Sequence, residues 1–278
     1  MTNAANISSP DNTIQHPAAD YRFEHFSLPL VLRDMRFSSD SRPVGDFLPN
    51  AELVSVDGTV TDLRSLAAQR PLVLITGSIS CPLTVSSLPV LRRLEEQHRE
   101  QFNFAYLYTR EAHPGANYEQ PHTLEAKRNH AVEFQKSYDV SWPVLVDDVD
   151  GTLHRLLDAK PNSVHIVSGD GRVLFRALFA SDAKLAGALR DIADGNGPSK
   201  QQGTSLMGPT LTSVGYIYDV LRRSGRGALK DVVTAAPPMA MMGIAANAFP
   251  WVSKGKRGLA VMAAATALAL GGLAVWLF

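Results

Sequence analysis

Cys81 is the one cysteine of the chain, and it follows a continuous apolar run at residues 71–78. A short run of this kind is typical of a strand buried on both faces, and leucines at helical spacing begin after Val85. A helix N-terminus offers unpaired N–H groups and a partial positive charge, which favour a nucleophilic thiolate. Ser80 and Thr84 can add hydroxyl hydrogen bonds. The sequence therefore predicts a reactive cysteine, and an inert buried thiol is the alternative.

Acid–base side chains follow the next predicted strand, residues 102–109. Glu111 and His113 come directly after it, and His130 lies in a predicted helix at residues 123–138. Histidine titrates near neutrality, so it can supply or accept a proton while the cysteine attacks a substrate. The alternatives are ordinary loop and packing histidines, and a glutamate that only caps or pairs locally. The remaining histidines lack ligand spacing with the cysteine, so we expect no metal and no cofactor.

The elements that position these residues alternate between strands and helices. Gly169-Asp170-Gly171 is a hairpin signal between the last two predicted strands. The order predicts an α/β domain with a mixed sheet, an antiparallel edge pair and helices on both faces. Strands are predicted at 71–78, 102–109, 143–146, 164–167 and 172–178, and helices at 63–69, 85–99, 123–138, 153–157 and 182–193, after a small hairpin at 51–60.

Pro161 stands just before the predicted strand at residues 164–167. In thioredoxin-like folds a cis-proline at this point faces the reactive cysteine and leaves a backbone edge open for the substrate. An ordinary proline at the entry to a strand is the alternative. We expect Pro161 to lie in the substrate site.

Composition divides the chain into four regions. Residues 1–42 are polar and are predicted to be a disordered leader, although their aromatic residues could pack on the α/β domain. Residues 43–194 form that domain. Residues 195–257 begin with a Gly- and Gln-rich linker and continue as a Pro-broken apolar stretch. That stretch is predicted to be membrane-proximal, and a cap over the active site is the other interpretation.

The C-terminal region, residues 258–278, is apolar and lacks charge. At about 1.5 Å per residue it could cross a hydrocarbon core of roughly 30 Å. Lys254, Lys256 and Arg257 precede it, which predicts a single-pass anchor with the main domain on the cytoplasmic side and Trp276 at the interface. Its small residues would allow a homodimer. A buried core helix is the alternative, but such helices usually carry a polar stripe.

Charge and cysteine content exclude several classes of protein. Lys and Arg together number 27, as do Asp and Glu, so the net charge is zero and no basic field attracts nucleic acid. A single cysteine cannot form an intramolecular disulfide, which excludes a disulfide-built extracellular scaffold and fits a reducing compartment.

The loop around the cysteine resembles the reactive loop of iodothyronine deiodinases, a thioredoxin-like family in which selenocysteine often stands at this position. The resemblance extends over residues 44–193. It is carried by Gly77-Ser-Ile-Ser-Cys81-Pro, by Tyr106-Leu-Tyr-Thr-Arg-Glu111-Ala-His113, by Arg128-Asn-His130 and by the strand pair from Pro161 to Gly171.

The resemblance implies that Cys81 is the attacking thiolate of a reductive reaction on a small molecule, dehalogenation among the candidates. Glu111, His113 and His130 would form a proton-relaying shelf in the substrate cleft, with Ser80 beside the sulfur. Because no second cysteine can resolve an oxidised sulfur, turnover would need an external thiol, either a small thiol or a thioredoxin.

Two other functions stay open from the sequence. A one-cysteine thiol peroxidase is one, but peroxiredoxin-like loops place proline seven residues and Thr or Ser three residues before the cysteine, and here these are Leu74 and Ser78. Such proteins also carry an arginine near the proline, where this chain has Asn162. The other is a non-catalytic thioredoxin-like scaffold that holds partners at a membrane.

Overall fold

One seven-stranded mixed sheet organises the chain, whose computed structural model describes residues 21–198 and 202–277, with side chains through residue 271. The strands run in the order β2-β1-β5-β4-β3-β6-β7. β3, β4 and β5 are parallel, and the other neighbouring pairs are antiparallel. The strands are β1 (Glu52–Ser55), β2 (Val60–Asp62), β3 (Leu72–Gly77), β4 (Asn103–Tyr108), β5 (Val144–Val146), β6 (Val164–Val167) and β7 (Val173–Ala177).

Helices cover both faces of the sheet, which confirms the predicted α/β thioredoxin-like domain and the positions of its elements. Those of the domain are α2 (Leu63–Ala67), α3 (Pro82–His98), α4 (Leu124–Ser137), α5 (Thr152–Leu156) and α6 (Lys184–Ala193). Outside it lie α1 (Leu28–Asp34), α7 (Met207–Ser224), α8 (Ala228–Ala235), α9 (Pro237–Ala245) and α10 (Arg257–Leu277).

Side-chain alternation along the strands builds two cores. Val73 and Ile75 of β3 face a cluster that includes residues of α3, α4 and α6, whereas Leu72 and Leu74 face a cluster that includes residues of α2 and α5. Every residue of β3 is buried, because the strand is central and both of its faces are covered. β3 is therefore a rigid support for the loop that follows it and contains Cys81.

The segment before residue 43 is ordered where the structure describes it, in contrast to the predicted disorder; residues 1–20 lie outside the described part. Tyr21 is buried, and its hydroxyl contacts His154 Nδ1 at 2.9 Å. α1 follows, and the backbone N–H of Phe26 donates to Asp231 of α8 at 3.2 Å. The aromatic residues of the leader thus pack on the domain, as the sequence allowed.

Three helices occupy much of residues 195–257, the range predicted to hold a linker and a Pro-broken apolar stretch. We call α7, α8 and α9 the cap. α7 packs along α3, and the cap has an apolar core of its own around Val214, Ile217 and Leu221. Two backbone hydrogen bonds tie the cap to the loop after β4, from Asn117 N to Ser224 O (3.0 Å) and from Ala116 N to Arg226 O (3.2 Å).

The predicted transmembrane helix is wrong. In the part of the chain that the structure describes, no helix combines the length and apolarity that a membrane crossing requires. The start of α10 packs on the cap instead: a Cβ on Gly258 would lie 2.1 Å from Leu211 O, and Val261 contacts the cap core. The predicted single-pass membrane location depended on this helix and is wrong for the same reason. The prediction for Trp276 falls on a side chain outside the described part of the chain.

Candidate active site

Cys81 is the N-cap residue of α3, at the junction between a buried strand and a helix that the sequence predicted. Its backbone is extended, and Pro82 opens the helix. The strand can approach the helix closely because residue 77 is glycine: a Cβ there would lie 2.6 Å from Thr84 Cγ2 and 3.0 Å from the ring of Tyr106. The sulfur is thereby held over the end of β3 and beside Thr84.

The sulfur is not the exposed thiolate that we predicted. Cys81 is 1% exposed, and burial raises the pKa of its thiol. Hydrogen bonds from the Thr84 hydroxyl and from the backbone N–H groups of Thr84 and Leu83 lower this pKa, but by less than burial raises it. The helix N-terminus does act on the sulfur, yet the covering residues outweigh it, so Cys81 is a neutral thiol at physiological pH.

A cavity of about 150 Å³ lies beside Cys81, which is one of the residues that line it. His113 and Pro161 line the same cavity, as does Arg110. Its apolar walls come from the segment before residue 43 and from the cap, and include Phe23, Phe26, Val31, Ile217, Leu221, Val232 and Met239. The cap is therefore part of the site, which corresponds to the alternative interpretation of residues 195–257.

His113 is a neutral imidazole, which corrects the expectation that it titrates near neutrality. Its Nδ1 atom is buried and has no hydrogen-bond partner among the described residues, and its ring centre lies 4.3 Å from that of Phe26. Burial lowers the pKa of His113 to about 3. His113 therefore faces the cavity without a charge.

Glu111 and His130 belong to a second network behind the cysteine loop, in which the Glu111 side chain is fully buried and that of His130 is 19% exposed. Glu111 accepts hydrogen bonds from Tyr108 Oη (2.6 Å), from the hydroxyl of Ser80 and from the Ser80 backbone N–H (3.3 Å). His130 Nδ1 lies 3.0 Å from the same carboxylate. The Ser80 hydroxyl also accepts from the backbone N–H of His113 at 3.3 Å. This network fixes both the loop before Cys81 and the backbone of His113.

The expected cis-proline is wrong, since no peptide bond within the described residues is cis. The chain reverses before β6 through Asp158 and Ala159, whose φ angles are +74° and +48°. These left-handed residues turn the chain without a cis bond. Pro161 lines the cavity, and its carbonyl accepts from the Thr84 hydroxyl at 3.4 Å.

The structure thus brings Cys81, His113 and Pro161 to one cavity, with Thr84 beside the sulfur. Ser80, Glu111 and His130 stand behind the loop. Sequence reasoning missed Arg110 and Asp34, which also line the cavity. Arg110 precedes the Glu-Ala-His segment directly, so its position at the end of β4 was a signal, whereas nothing in the sequence linked Asp34 to the site.

The raised thiol pKa predicts how alkylation of Cys81 depends on pH. Only the thiolate reacts, so its rate should rise about tenfold per pH unit and show no plateau near 8.5, the pKa of a free cysteine. The rate of iodoacetamide modification, followed by mass spectrometry, measures this. The urea-unfolded chain is the control and should level off near pH 8.5. A half-maximal rate at or below that pH in the folded protein would contradict the prediction.

Comparison with known proteins identifies the family to which the α/β domain is similar. The family model of iodothyronine deiodinase matches residues 20–168, more than half of the chain. This range contains the predicted site residues at the cavity and those behind the cysteine loop: Cys81, Thr84, His113, Pro161, Ser80, Glu111 and His130. The match includes the segment from Tyr21 and ends before the cap.

Solved structures also resemble the chain. A peroxidoxin, BcpB from Mycobacterium tuberculosis, is 19% identical, with 54% of this chain and 97% of that chain covered at a TM-score of 0.43. An uncharacterized conserved protein from Geobacillus kaustophilus is 16% identical, with 58% of this chain and 87% of that chain covered at a TM-score of 0.45. A thiol-disulfide oxidoreductase from Bacteroides fragilis is 16% identical, with 53% of this chain and 99% of that chain covered at a TM-score of 0.40. Structural likeness at this level does not establish an activity. The family match establishes the class of enzyme. The chain belongs to the iodothyronine deiodinase family and is an enzyme of the thiol oxidoreductase class.

Proposed function

We propose that the enzyme reduces a small, largely apolar organic molecule inside the cavity, with Cys81 as the nucleophile and a halogenated aromatic ring as the favoured substrate class. The observation that supports this most is that a thiol and an unpartnered neutral imidazole line one apolar cavity. An engineered apolar cavity of about 150 Å³ in another protein binds benzene, so the volume suits a single ring.

In this proposal the Cys81 sulfur gives up its proton as it attacks, because the thiolate is the nucleophilic form of cysteine. The sulfur of Cys81 attacks the halogen, the S–X bond forms and the C–X bond breaks. The carbon takes up a proton, which the thiol supplies and His113 relays through its imidazole. The products are a sulfenyl halide on Cys81 and the ring with hydrogen in place of halogen. No net charge develops in the cavity over this step, so the low dielectric around the sulfur imposes no lasting penalty.

An external thiol completes the cycle. It attacks the sulfenyl halide, releases halide and a proton and leaves a mixed disulfide on Cys81. A second thiol then releases the Cys81 thiol and an external disulfide. Because the cap covers the sulfur, a small thiol suits this step better than a protein reductant. Because residues of the cap line the cavity, motion of the cap is a candidate for the rate-limiting step.

Glu111, Ser80 and His130 act as positioning residues in this proposal. The carboxylate holds Ser80, and Ser80 holds the backbone N–H of His113. Their effect on the reaction is therefore exerted through the placement of Cys81 and His113 against the substrate. Thr84 supports the sulfur by hydrogen bonding, and Pro161 shapes the facing wall.

The raised thiol pKa, taken alone, favours the non-catalytic scaffold, whereas membership of an enzyme family and the cavity beside the sulfur favour catalysis. A one-cysteine peroxidase is the second candidate, because hydrogen peroxide is small enough for the cavity and would oxidise Cys81 to a sulfenic acid that external thiols reduce. The largely apolar lining of the cavity suits an organic ring better than hydrogen peroxide, so we place this function second.

Iodide release from 4-iodophenol in the presence of dithiothreitol tests the proposal. We expect Cys81→Ser to abolish release, and His113→Ala to lower it by about 10²–10⁴-fold, the usual contribution of one proton-transferring group. His122→Ala is the control, since His122 is exposed and outside the cavity. Iodide release that survives Cys81→Ser overturns the proposal. Cys81-dependent consumption of peroxide without iodide release would establish the peroxidase.

A further inference from the structure

The cavity wall formed by α7 is supported by close backbone contacts with the C-terminal part of the chain. A Cβ on Gly215 of α7 would lie 2.0 Å from Lys254 O, and a Cβ on Gly258 of α10 would lie 2.1 Å from Leu211 O. Both contacts are with backbone oxygens, which cannot turn away as a flexible side chain can. α7 is therefore held in one position, and close packing limits how far it can yield to a ligand.

Ile217 is the residue of this wall that α9 supports directly. It is 3% exposed and lines the cavity. Gly243 of α9 lies so close that a Cβ there would be 2.7 Å from both Cβ and Cγ2 of Ile217. A β-branched side chain also has few accessible rotamers. Ile217 therefore has little freedom to move away from a ligand in the cavity.

Other parts of the lining are more adaptable. Met35 and Met239 also line the cavity. Met35 is 45% exposed, and Met239 is only partly buried. Unbranched thioether side chains repack easily around a neighbour of a different shape. The size limit of the cavity is therefore set by Ile217 rather than by the methionines.

We propose that Ile217 is a specificity-determining residue that admits a single aromatic ring to the cavity and excludes two fused rings. A volume of about 150 Å³ accommodates a ring of the size of benzene. A fused second ring is rigid, so it needs the space that Ile217 occupies. Ile217 lies beyond residues 20–168, so the limit belongs to the cap rather than to the domain that the family model matches. That the admitted ring is also the substrate rests on the proposed function, whereas the size limit on binding does not.

Equilibrium binding of toluene and naphthalene to the full-length chain tests this assignment by calorimetry, with the protein titrated into the dissolved hydrocarbon. Neither compound carries a halogen, so no turnover interferes. We expect the wild-type protein to bind toluene at least about tenfold more tightly than naphthalene, although naphthalene has the larger apolar surface to bury. In Ile217→Ala, naphthalene should bind at least about tenfold more tightly than it binds the wild type, because the second ring then has space.

Val214→Ala is the matched control. Val214 is fully buried in the same helix and belongs to the apolar core of the cap, but it is not among the described residues that line the cavity. Its replacement also leaves a void in the cap, yet it should leave the ratio of the two affinities unchanged. If Ile217→Ala does not fold, Ile217→Val removes only one methylene and should give a smaller gain in naphthalene binding.

Absence of toluene binding by the wild-type protein, or equal binding of toluene and naphthalene, overturns the assignment. So does a ratio that is unchanged in the Ile217 variants, or a gain in naphthalene binding that Val214→Ala shows to the same extent. The outcome separates the two proposals: size-limited binding without iodide release from 4-iodophenol overturns only the proposed function, and iodide release without the size limit overturns only the role of Ile217.

Discussion

Replacement of Glu111 by alanine should reduce the free energy of unfolding by about 3–5 kcal/mol, the range expected when one member of a buried charged network is removed. The carboxylate is fully buried and accepts from Ser80, Tyr108 and His130 together. Without it, Tyr108 and His130 lose the carboxylate oxygen that they share, and a cavity is left as well. The predicted loss is comparable to a large part of the stability of an ordinary domain.

Urea unfolding followed by circular dichroism measures this loss, with Glu119→Ala as the control. Glu119 is exposed in the same loop, so its replacement should change stability by at most about 0.5 kcal/mol. Glu111→Gln keeps the volume and one acceptor oxygen and should lose less than Glu111→Ala. A loss below about 1 kcal/mol in Glu111→Ala would mean that the network contributes little to the fold.

Local patterns in the sequence were sufficient to predict the sheet. The apolar run that became β3 lies in the interior of the sheet, between β4 and β6. The glycine-rich turn before β7 contains Gly171 with a left-handed backbone (φ +84°), as its hairpin signal predicted. The cysteine at the strand–helix junction and the polar segment after β4 were also found from local order. These features depend on neighbours within a few residues, which a sequence displays directly.

The burial of the sulfur could not be predicted in this way. The cavity that Cys81 lines is also lined by Phe26, more than 50 residues before it, and by Ile217, more than 130 residues after it. Junction geometry alone predicted a lowered thiol pKa, and the covering residues reversed the sign. The same long-range packing explains the error about α10: composition shows an apolar helix, but not that Gly258 packs on the backbone of α7.

Access to Cys81 should be controlled by the contact between the cap and the loop after β4, which Gly115 permits. A Cβ on Gly115 would lie 2.4 Å from Ser224 O, the atom that accepts from Asn117 N. Gly115→Ala should therefore shift the cap away from the loop and favour an open form in which the sulfur meets solvent. We expect iodoacetamide to modify Cys81 roughly tenfold faster at constant pH, equivalent to about 1.4 kcal/mol in the opening equilibrium.

Gly187→Ala is the control, because it adds the same methyl group at a position that has room for it. Gly187 lies within α6 and an added Cβ would meet nothing within 4 Å. We expect this variant to gain about 0.5–1 kcal/mol of stability from helix propensity and to leave the alkylation rate of Cys81 unchanged. If Gly115→Ala lowers the melting temperature but alkylation stays at the wild-type rate, solvent reaches the sulfur by a route that does not involve the cap. Faster alkylation in Gly115→Ala alone would instead identify cap opening as the step that admits both the substrate and the reducing thiol.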